Sequence, residues 1–236
     1  MSEKVERNQI LIIAAHPDDE ILGAGATMAK HAASGDDVYV LIVAQGATSR
    51  YSSDSNLNEA EDYVSNLKAC AQAAAKALGT NSPNFLGFPD NKLDTVALLD
   101  IVQKIEEFIN TIRPKIIYTH HGGDLNIDHQ IVHRAVLTAT RPIPNAFVKS
   151  IYTFETVSST EWSSPQQQQV FIPTRFVNVT QMFEKKLQAL AEYKSEMREF
   201  PHARSVEAVE ALARVRGAAS GSAMAEAFAV IRELVD

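Results

Sequence analysis

The stretch IIAAHPDDEILGAGA, residues 12–26, places one histidine and three adjacent acids directly after an apolar run. Neighbouring carboxylates repel one another. Asp18, Asp19 and Glu20 are therefore costly to bring together unless a cation or the positive end of a helix offsets their charge. A metal site is the first chemistry that this stretch suggests.

A second group of ligand-type residues ends the stretch HHGGDLNIDH, where Asp128 and His129 stand at the start of a predicted helix. A catalytic zinc ion typically has three His or carboxylate ligands and one open position for water. His16, Asp19 and His129 supply such a set, and Asp18 can act as the general base that accepts a proton from the water. Fe(II), Mn(II) and Co(II) also suit two histidines and one carboxylate.

Other interpretations of these residues stay open at this point. Acids after a strand also favour the N-terminus of a helix. His133 lies four residues after His129, on the same helix face, and is a rival ligand. His120 and His121 end a strand, and one of them can point into the core. The run 23–25, Gly-Ala-Gly, lacks the third glycine of a dinucleotide-binding loop.

Strands and helices must position these groups. Buried apolar runs alternate with helical spacing along residues 9–140, which predicts an α/β, Rossmann-like fold with a mostly parallel sheet and helices on both faces. The carboxyl ends of two strands can then meet at one ligand site. Strands near 150–157 and 170–179 are predicted to form an added pair, and two helical stretches are predicted to finish the chain. We expect one domain, 1–236, with a core at 8–142 and a C-terminal extension at 143–236.

Composition narrows the class of partner. The chain has 236 residues, 45% hydrophobic residues and a net charge of -7, which suits a folded domain with a sizeable core. No concentrated Lys/Arg run is present, so we expect small-molecule partners and no nucleic acid. No long apolar segment suggests export or a membrane span, which predicts a cytoplasmic protein. Cys70 is the single cysteine and is predicted to be a small, inert residue of a helix.

The motif His-Pro-Asp-Asp-Glu at 16–20, after a strand, and Asp-His at 128–129 resemble those of the PIG-L/LmbE-like family of zinc-dependent N-acetylglucosamine deacetylases. The resemblance implies zinc on His16, Asp19 and His129, with Asp18 as the general base. It also implies an N-acetylamino sugar as substrate, free or linked to a nucleotide or lipid, and it is compatible with a homo-oligomer.

One position departs from the family pattern. Many members have a histidine three residues before the metal-binding histidine, whereas this chain has Asn126 there. An amide cannot act as a proton-donating acid, although it can form a hydrogen bond to an oxyanion. We therefore expect Asp18 to return its proton to the leaving amine. The other candidates for this step are Asp124, His121 and His202.

Further side chains are candidates for supporting roles. Asp128 is expected to orient a metal-bound histidine or the substrate, because metal-bound imidazoles usually have such a partner. Four residues are candidates for substrate binding: Arg50, Asp124, Trp162 and His202.

The leading functional hypothesis is deacetylation of an N-acetylamino sugar or its conjugate by a metal-dependent hydrolase. One alternative is hydrolysis of another N-acyl compound, such as an acyl-amino acid or a thiol-sugar conjugate. A second alternative is a metal-binding α/β module without catalysis, although the presence of Asp18 argues against it.

Overall fold

The computed structural model describes residues 7–46, 57–144, 146–166 and 170–235. Its strands are β1 (Gln9–Ala14), β2 (Asp37–Ala44), β3 (Asn84–Phe88), β4 (Ile116–His120), β5 (Ser150–Phe154), β6 (Arg175–Asn178) and β7 (Ala225–Glu233). Its helices are α1 (Asp19–Ala33), α2 (Leu57–Leu78), α3 (Leu98–Ile112), α4 (Ile127–Ala139), α5 (Phe183–Glu192) and α6 (Val206–Ser220). No helix of the described ranges is long and apolar enough to cross a bilayer.

The strands form one sheet in the order β3-β2-β1-β4-β5-β7-β6. The first five are mutually parallel, whereas β7 runs antiparallel to both of its neighbours. The strand order reverses between β1 and β4, and this reversal opens a crevice beyond their carboxyl ends, where ligands bind in open α/β sheets. The predicted Rossmann-like α/β fold class is confirmed.

The central strand β1 is apolar on both faces. Ile10 and Ile12 pack into a core formed with α1, α2, α5 and α6, while Leu11 and Ile13 pack into a second core with α3 and α4. All four side chains are fully buried. Helices on both sides of a parallel sheet require such a continuous apolar run. The strand therefore holds the turn that follows it on a rigid support.

The C-terminal region differs from the sequence prediction in its pairing. The strand predicted at 150–157 does not pair with the one at 170–179: β5 lies beside β4 and β7, and β6 pairs with β7. The prediction that helical stretches finish the chain is wrong, because the strand β7 follows α6. Ala-rich AEAF at 225–228 has little intrinsic preference for strand, but pairing on both sides overrides that preference.

Helix α1 approaches β5 closely at Gly23. A Cβ atom built there would lie 2.2 Å from Cδ2 of the fully buried Phe154. We expect Gly23→Ala to lower the free energy of unfolding by about 1–3 kcal/mol, the usual cost of overpacking a core. Urea denaturation would measure the free energy of unfolding. The control is Ala33→Ser, at an exposed position of the same helix, which should change that free energy by less than about 0.5 kcal/mol. Equal stability of Gly23→Ala and the parent would contradict the expectation.

Candidate metal centre and its cleft

The turn between β1 and α1 separates two adjacent carboxylates. Asp18 has a φ of 106°, in the left-handed region, and its carbonyl accepts the N–H groups of Ile21 and Leu22 at 3.0 and 2.9 Å. A non-glycine residue with such a φ is strained and persists only where its surroundings hold it. The Asp18 side chain lines a cleft, whereas the Asp19 side chain points at the imidazoles of His16 and His129.

Glu20 supports this turn from inside the protein. It is buried, with Oε2 accepting the backbone N–H of Asp18 at 3.0 Å and Oε1 accepting the hydroxyl of Tyr193 at 2.7 Å. Burial raises the pKa of Glu20 to about 8. The third acid of the motif therefore holds the backbone of Asp18 in place rather than binding a cation.

The side chains of His16, Asp19 and His129 converge at the carboxyl ends of β1 and β4. Oδ2 of Asp19 lies 3.2 Å from Nδ1 of His16 and 3.1 Å from Nε2 of His129, and ligand atoms of the three lie within 4.8 Å of one another. Oδ1 of Asp19 is buried and has no hydrogen-bond partner within the described ranges. A cation satisfies such a buried oxygen, and two imidazoles with one carboxylate suit zinc and similar divalent metals.

His16 is held on its other side by carboxylates. Its Nε2 lies 2.9 Å from Oδ2 of Asp128 and 3.1 Å from Oδ1 of Asp90. Asp128 is itself fixed, because its oxygens accept the backbone N–H groups of Asn91 and Leu93 at 2.6 and 3.0 Å. Asp128 therefore contacts an imidazole of the cluster. The sequence analysis expected it beside either a histidine of the metal site or the substrate.

His129 has an equivalent partner in Asp124, whose Oδ1 lies 3.2 Å from Nδ1 of the ring. Asp124 is buried and also accepts hydrogen bonds from the hydroxyls of Ser159 and Thr160 and from the backbone N–H of Asn126. Burial disfavours its ionisation, but the neighbouring His129, together with the hydrogen bonds from Ser159 and Thr160, outweighs burial and lowers the pKa of Asp124 to about 2. Asp124 thus lies behind an imidazole of the cluster, with its oxygens already occupied, and not where the predicted contact with substrate would require it.

Removal of the Asp124 charge is expected to weaken metal binding. Asp124→Asn leaves His129 without its anionic partner, and loss of such a contact typically costs about 10- to 100-fold in metal affinity. Zinc titration against a chromophoric chelator would measure the dissociation constant, with the exposed Asp94→Asn as the matched control. An unchanged constant in Asp124→Asn would mean that the contact does not support the imidazole.

The carboxylates around the two imidazoles change their protonation. Burial opposes the charged form of His16 and His129, but Asp128 and Asp19 raise the pKa of His16 to about 10. Asp19 and Asp124 raise the pKa of His129 to about 9. Metal binding at these nitrogens therefore releases protons.

His120 belongs to the cluster in space but is not free to bind metal. Its ring stacks on His129 with centroids 3.9 Å apart, and its Nε2 accepts the backbone N–H of Ala15 at 2.8 Å. Burial holds its pKa well below the ordinary value, so the ring is neutral. Of the two histidines at the end of β4, His120 is therefore the one that points into the protein.

Two further histidines lie away from the cluster. Nδ1 of His133 donates to the carbonyl of His120 at 2.9 Å, which directs this rival ligand away from Asp19. The ring of His121 packs edge-on against Phe171 and is not part of the cleft lining.

A polar cleft of about 240 Å³ opens beside the cluster. His16 borders it directly, with 13% of its side chain exposed, against 0% for Asp19 and 2% for His129. The side chains that line the cleft and carry polar groups are those of His16, Asp18, Asp90, Asn91, Asn126, Ser158, Glu196, Arg198, His202 and Arg204. A ligand in this cleft would therefore lie beside both His16 of the cluster and Asp18.

Asn126 lines the cleft and caps α4. Its Oδ1 accepts the backbone N–H of Asp128 at 2.8 Å, and its Nδ2 donates to Oδ1 of Asn91 at 3.1 Å. An amide has two N–H donors, so within the described residues the second N–H of Asn126 has no hydrogen-bond partner.

The predicted substrate-binding residues occupy different positions. Nδ1 of His202 accepts the backbone N–H of Arg204 at 3.0 Å, so the neutral ring carries its proton on Nε2. Trp162 is 53% exposed and contacts the edge of His202, with centroids 5.7 Å apart. It lies at the rim and is not part of the cleft lining. Arg50 lies outside the described residues.

Sequence reasoning missed the main partner of Asp18. Nη1 of Arg204 donates to its Oδ2 at 2.6 Å, from a position 186 residues away, and no spacing rule connects the two. Burial raises the pKa of Asp18 to about 7, against the lowering effect of Arg204. Asp90 and Asn91 were also missed, although they follow β3 and the strand-end rule applied to that strand would have found them.

Fold and site together define an α/β protein with a His-Asp-His cluster at the switch point of its sheet. A model of the PIG-L family, described as GlcNAc-PI de-N-acetylase, matches residues 11–140, and the chain belongs to this family. It is 31% identical over 201 residues to the uncharacterized deacetylase YaiS of Escherichia coli (strain K12), which covers 83% of this chain and 95% of the relative. The resemblance inferred from the two motifs is confirmed.

Solved structures show the same fold with different reactions. The N,N'-diacetylchitobiose deacetylase from Pyrococcus horikoshii matches 96% of this chain and 85% of its own with a TM-score of 0.77 and 16% identity. GalB, the 4-carboxy-2-hydroxymuconate hydratase from Pseudomonas putida, matches 97% of this chain over 98% of its own length, with a TM-score of 0.73 and 21% identity. The reaction must therefore be argued from the site and not from the fold.

Proposed function

We propose that this protein removes the N-acetyl group from an N-acetylamino sugar or its conjugate and releases acetate and a free amine. The main support is the position of Asp18, which lies beside the His16, Asp19 and His129 cluster and faces the same polar cleft. The family description and the relative YaiS, a deacetylase by name, support the same reaction.

We propose zinc as the metal of this site. His16 through Nδ1, Asp19 through its carboxylate and His129 through Nε2 would hold it, because these atoms face one another. Zinc, when bound, supplies a Lewis acid for a carbonyl oxygen and a water molecule of lowered pKa. Metal analysis of purified protein would distinguish zinc from Fe(II), Mn(II) and Co(II).

Asp18 is the proposed general base. Oδ2 is occupied by Arg204, and within the described ranges Oδ1 has no hydrogen-bond partner, so Oδ1 can accept a proton from the attacking water. A carboxyl group whose pKa lies near neutrality can also return that proton to the leaving amine. Asp18 thus serves in both half-steps, and no separate general acid is required in place of the histidine that Asn126 replaces.

Other cleft residues have proposed supporting roles. Asn126 donates its remaining N–H to the developing oxyanion. Nε2–H of His202 donates to a substrate oxygen, and Trp162 covers an apolar sugar face at the rim. Arg50 is proposed to contact an anionic or sugar group of the substrate. Asp128 and Asp124 orient the two imidazoles.

Acetate release from a panel of N-acetyl compounds tests the function. The zinc-loaded protein would be incubated with N-acetylglucosamine, N,N'-diacetylchitobiose and UDP-N-acetylglucosamine, and separately with N-acetyl-amino acids. We expect acetate from at least one amino sugar and none from the amino acids. Release from the amino acids alone would move the assignment to another amidohydrolase, and no release from any compound by metal-loaded protein would contradict deacetylation.

A further inference from the structure

We propose that Arg204 is a positioning residue for Asp18: its guanidinium holds one oxygen of that carboxylate so that the other faces the cleft. The inference rests on the proposed role of Asp18 as general base. Arg204 lies in the segment between α5 and α6, outside both sequence motifs, and the inference gives it a part in the reaction.

The guanidinium of Arg204 is fixed by several contacts. Nη1 donates to Oδ2 of Asp18 at 2.6 Å, and Nε donates to the hydroxyl of Ser158 at 2.8 Å. Nη1 also lies 3.8 Å from Oε2 of Glu196, whose other oxygen accepts the hydroxyl of Tyr63. The Arg204 side chain is 22% exposed and that of Asp18 is 4% exposed, so this ion pair is largely shielded from water.

The backbone of Arg204 is equally well placed. The next residue, Ser205, is fully buried and caps α6 by accepting the N–H of Ala208 at 3.1 Å. The N–H of Arg204 donates to Nδ1 of His202. The guanidinium therefore extends from a turn that is anchored at both ends, which is what a positioning group requires.

The contacts of Asp18 divide its two oxygens between two tasks. Glu20 and the first turn of α1 fix its backbone, but they do not fix the rotation of its carboxylate. Within the described residues, the only hydrogen bond to that carboxylate comes from Arg204 on Oδ2. A base acts efficiently only in a defined orientation, so a free rotation of this group would lower kcat without removing the substrate from the cleft.

Arginine suits this task better than lysine. Its planar fork binds Asp18 and Ser158 through different nitrogens at the same time, whereas an ammonium group is a single point of charge on a flexible stem. Arg204→Lys therefore keeps the charge but loses the simultaneous contact. A purely electrostatic role for Arg204 would make this substitution harmless, while the positioning role predicts a loss.

Kinetics of the zinc-loaded variants test the inference. For Arg204→Ala we expect kcat for acetate release from N,N'-diacetylchitobiose to fall by about 10- to 100-fold, with KM within about threefold of the parent. The kcat of Arg204→Lys should lie between that of the parent and that of Arg204→Ala. Added guanidinium ion should restore part of the kcat of Arg204→Ala. Arg214→Ala, an exposed arginine on α6, is the matched control and should leave kcat unchanged.

A double-mutant cycle separates action through Asp18 from other effects. In the Asp18→Asn background, the change Arg204→Ala should lower kcat by no more than about twofold, because the carboxylate that it positions is already gone. A crystal structure of Arg204→Ala gives a readout that is independent of substrate, in which we expect the Asp18 carboxylate to rotate from its position in the parent.

The possible outcomes distinguish this inference from the proposed function. An unchanged kcat in Arg204→Ala, with a large loss in Asp18→Asn, overturns the inference and leaves the general base in place. A rise in KM alone overturns it in favour of substrate binding by Arg204. Full activity of Asp18→Asn contradicts both the general-base role of Asp18 and the positioning role of Arg204. If N,N'-diacetylchitobiose is not turned over, an unmoved Asp18 carboxylate in the Arg204→Ala crystal structure overturns the inference.

Discussion

Replacement of Asp18 by asparagine is expected to lower kcat for acetate release by about 10²-fold or more, the range of losses when a general base is removed. Asparagine has nearly the same size as aspartate and keeps a hydrogen-bond acceptor for Arg204, but it cannot accept a proton. Because Asp18 is not one of the three converging ligand side chains, the zinc content should stay close to that of the parent.

The measurement is steady-state kinetics together with metal analysis of the same preparation. Asp62→Asn, an exposed acid on α2, is the control and should behave like the parent in both. Turnover by Asp18→Asn within about threefold of the parent would exclude a general-base role, since proton transfer contributes more than that.

Replacement of His129 by glutamine is expected to remove the metal and with it the activity. The substitution leaves Asp19 and Asp124 without the imidazole that both contact, so two buried carboxylates lose the cationic partner between them. The loss of zinc affinity should exceed the about 10- to 100-fold that follows loss of a supporting contact such as that of Asp124.

His133→Gln is the matched control, because His133 lies one turn further along α4 and its side chain, within the described residues, forms its hydrogen bond with the carbonyl of His120. Chelator competition and circular dichroism would be recorded for both variants. Loss of zinc in His133→Gln with retention in a folded His129→Gln would reverse the ligand assignment.

The convergence of the three ligand-type side chains was predictable because two local rules led to the same edge of the sheet. Apolar runs of alternating strands and helices predicted the sheet, and the carboxyl-end rule then brought His16, Asp19 and His129 together although two of them are more than a hundred residues from the third. The contact of Asp128 with His16 fits one of the two roles expected for it, which rested on the general need of a metal-bound imidazole for a partner.

Other parts of the site depend on contacts that no local pattern encodes. Arg204 reaches Asp18 from a turn before α6, and its place is set by how that segment packs over the cleft. Asp124 was a candidate for substrate binding, but it lies behind His129, where the hydroxyls of Ser159 and Thr160 donate to its carboxylate. The strand β7 was missed because its alanines carry no strand preference and its two neighbours come from distant sequence.

Anomalous diffraction at the zinc edge from crystals of the zinc-loaded protein tests the central claim most directly, namely that the turns after β1 and β4 share one cation. We expect a single strong peak bonded to Nδ1 of His16, a carboxylate oxygen of Asp19 and Nε2 of His129, at about 2.0–2.2 Å from each. A peak between His16, Asp90 and Asp128 instead, or no peak at either group of side chains, would contradict it.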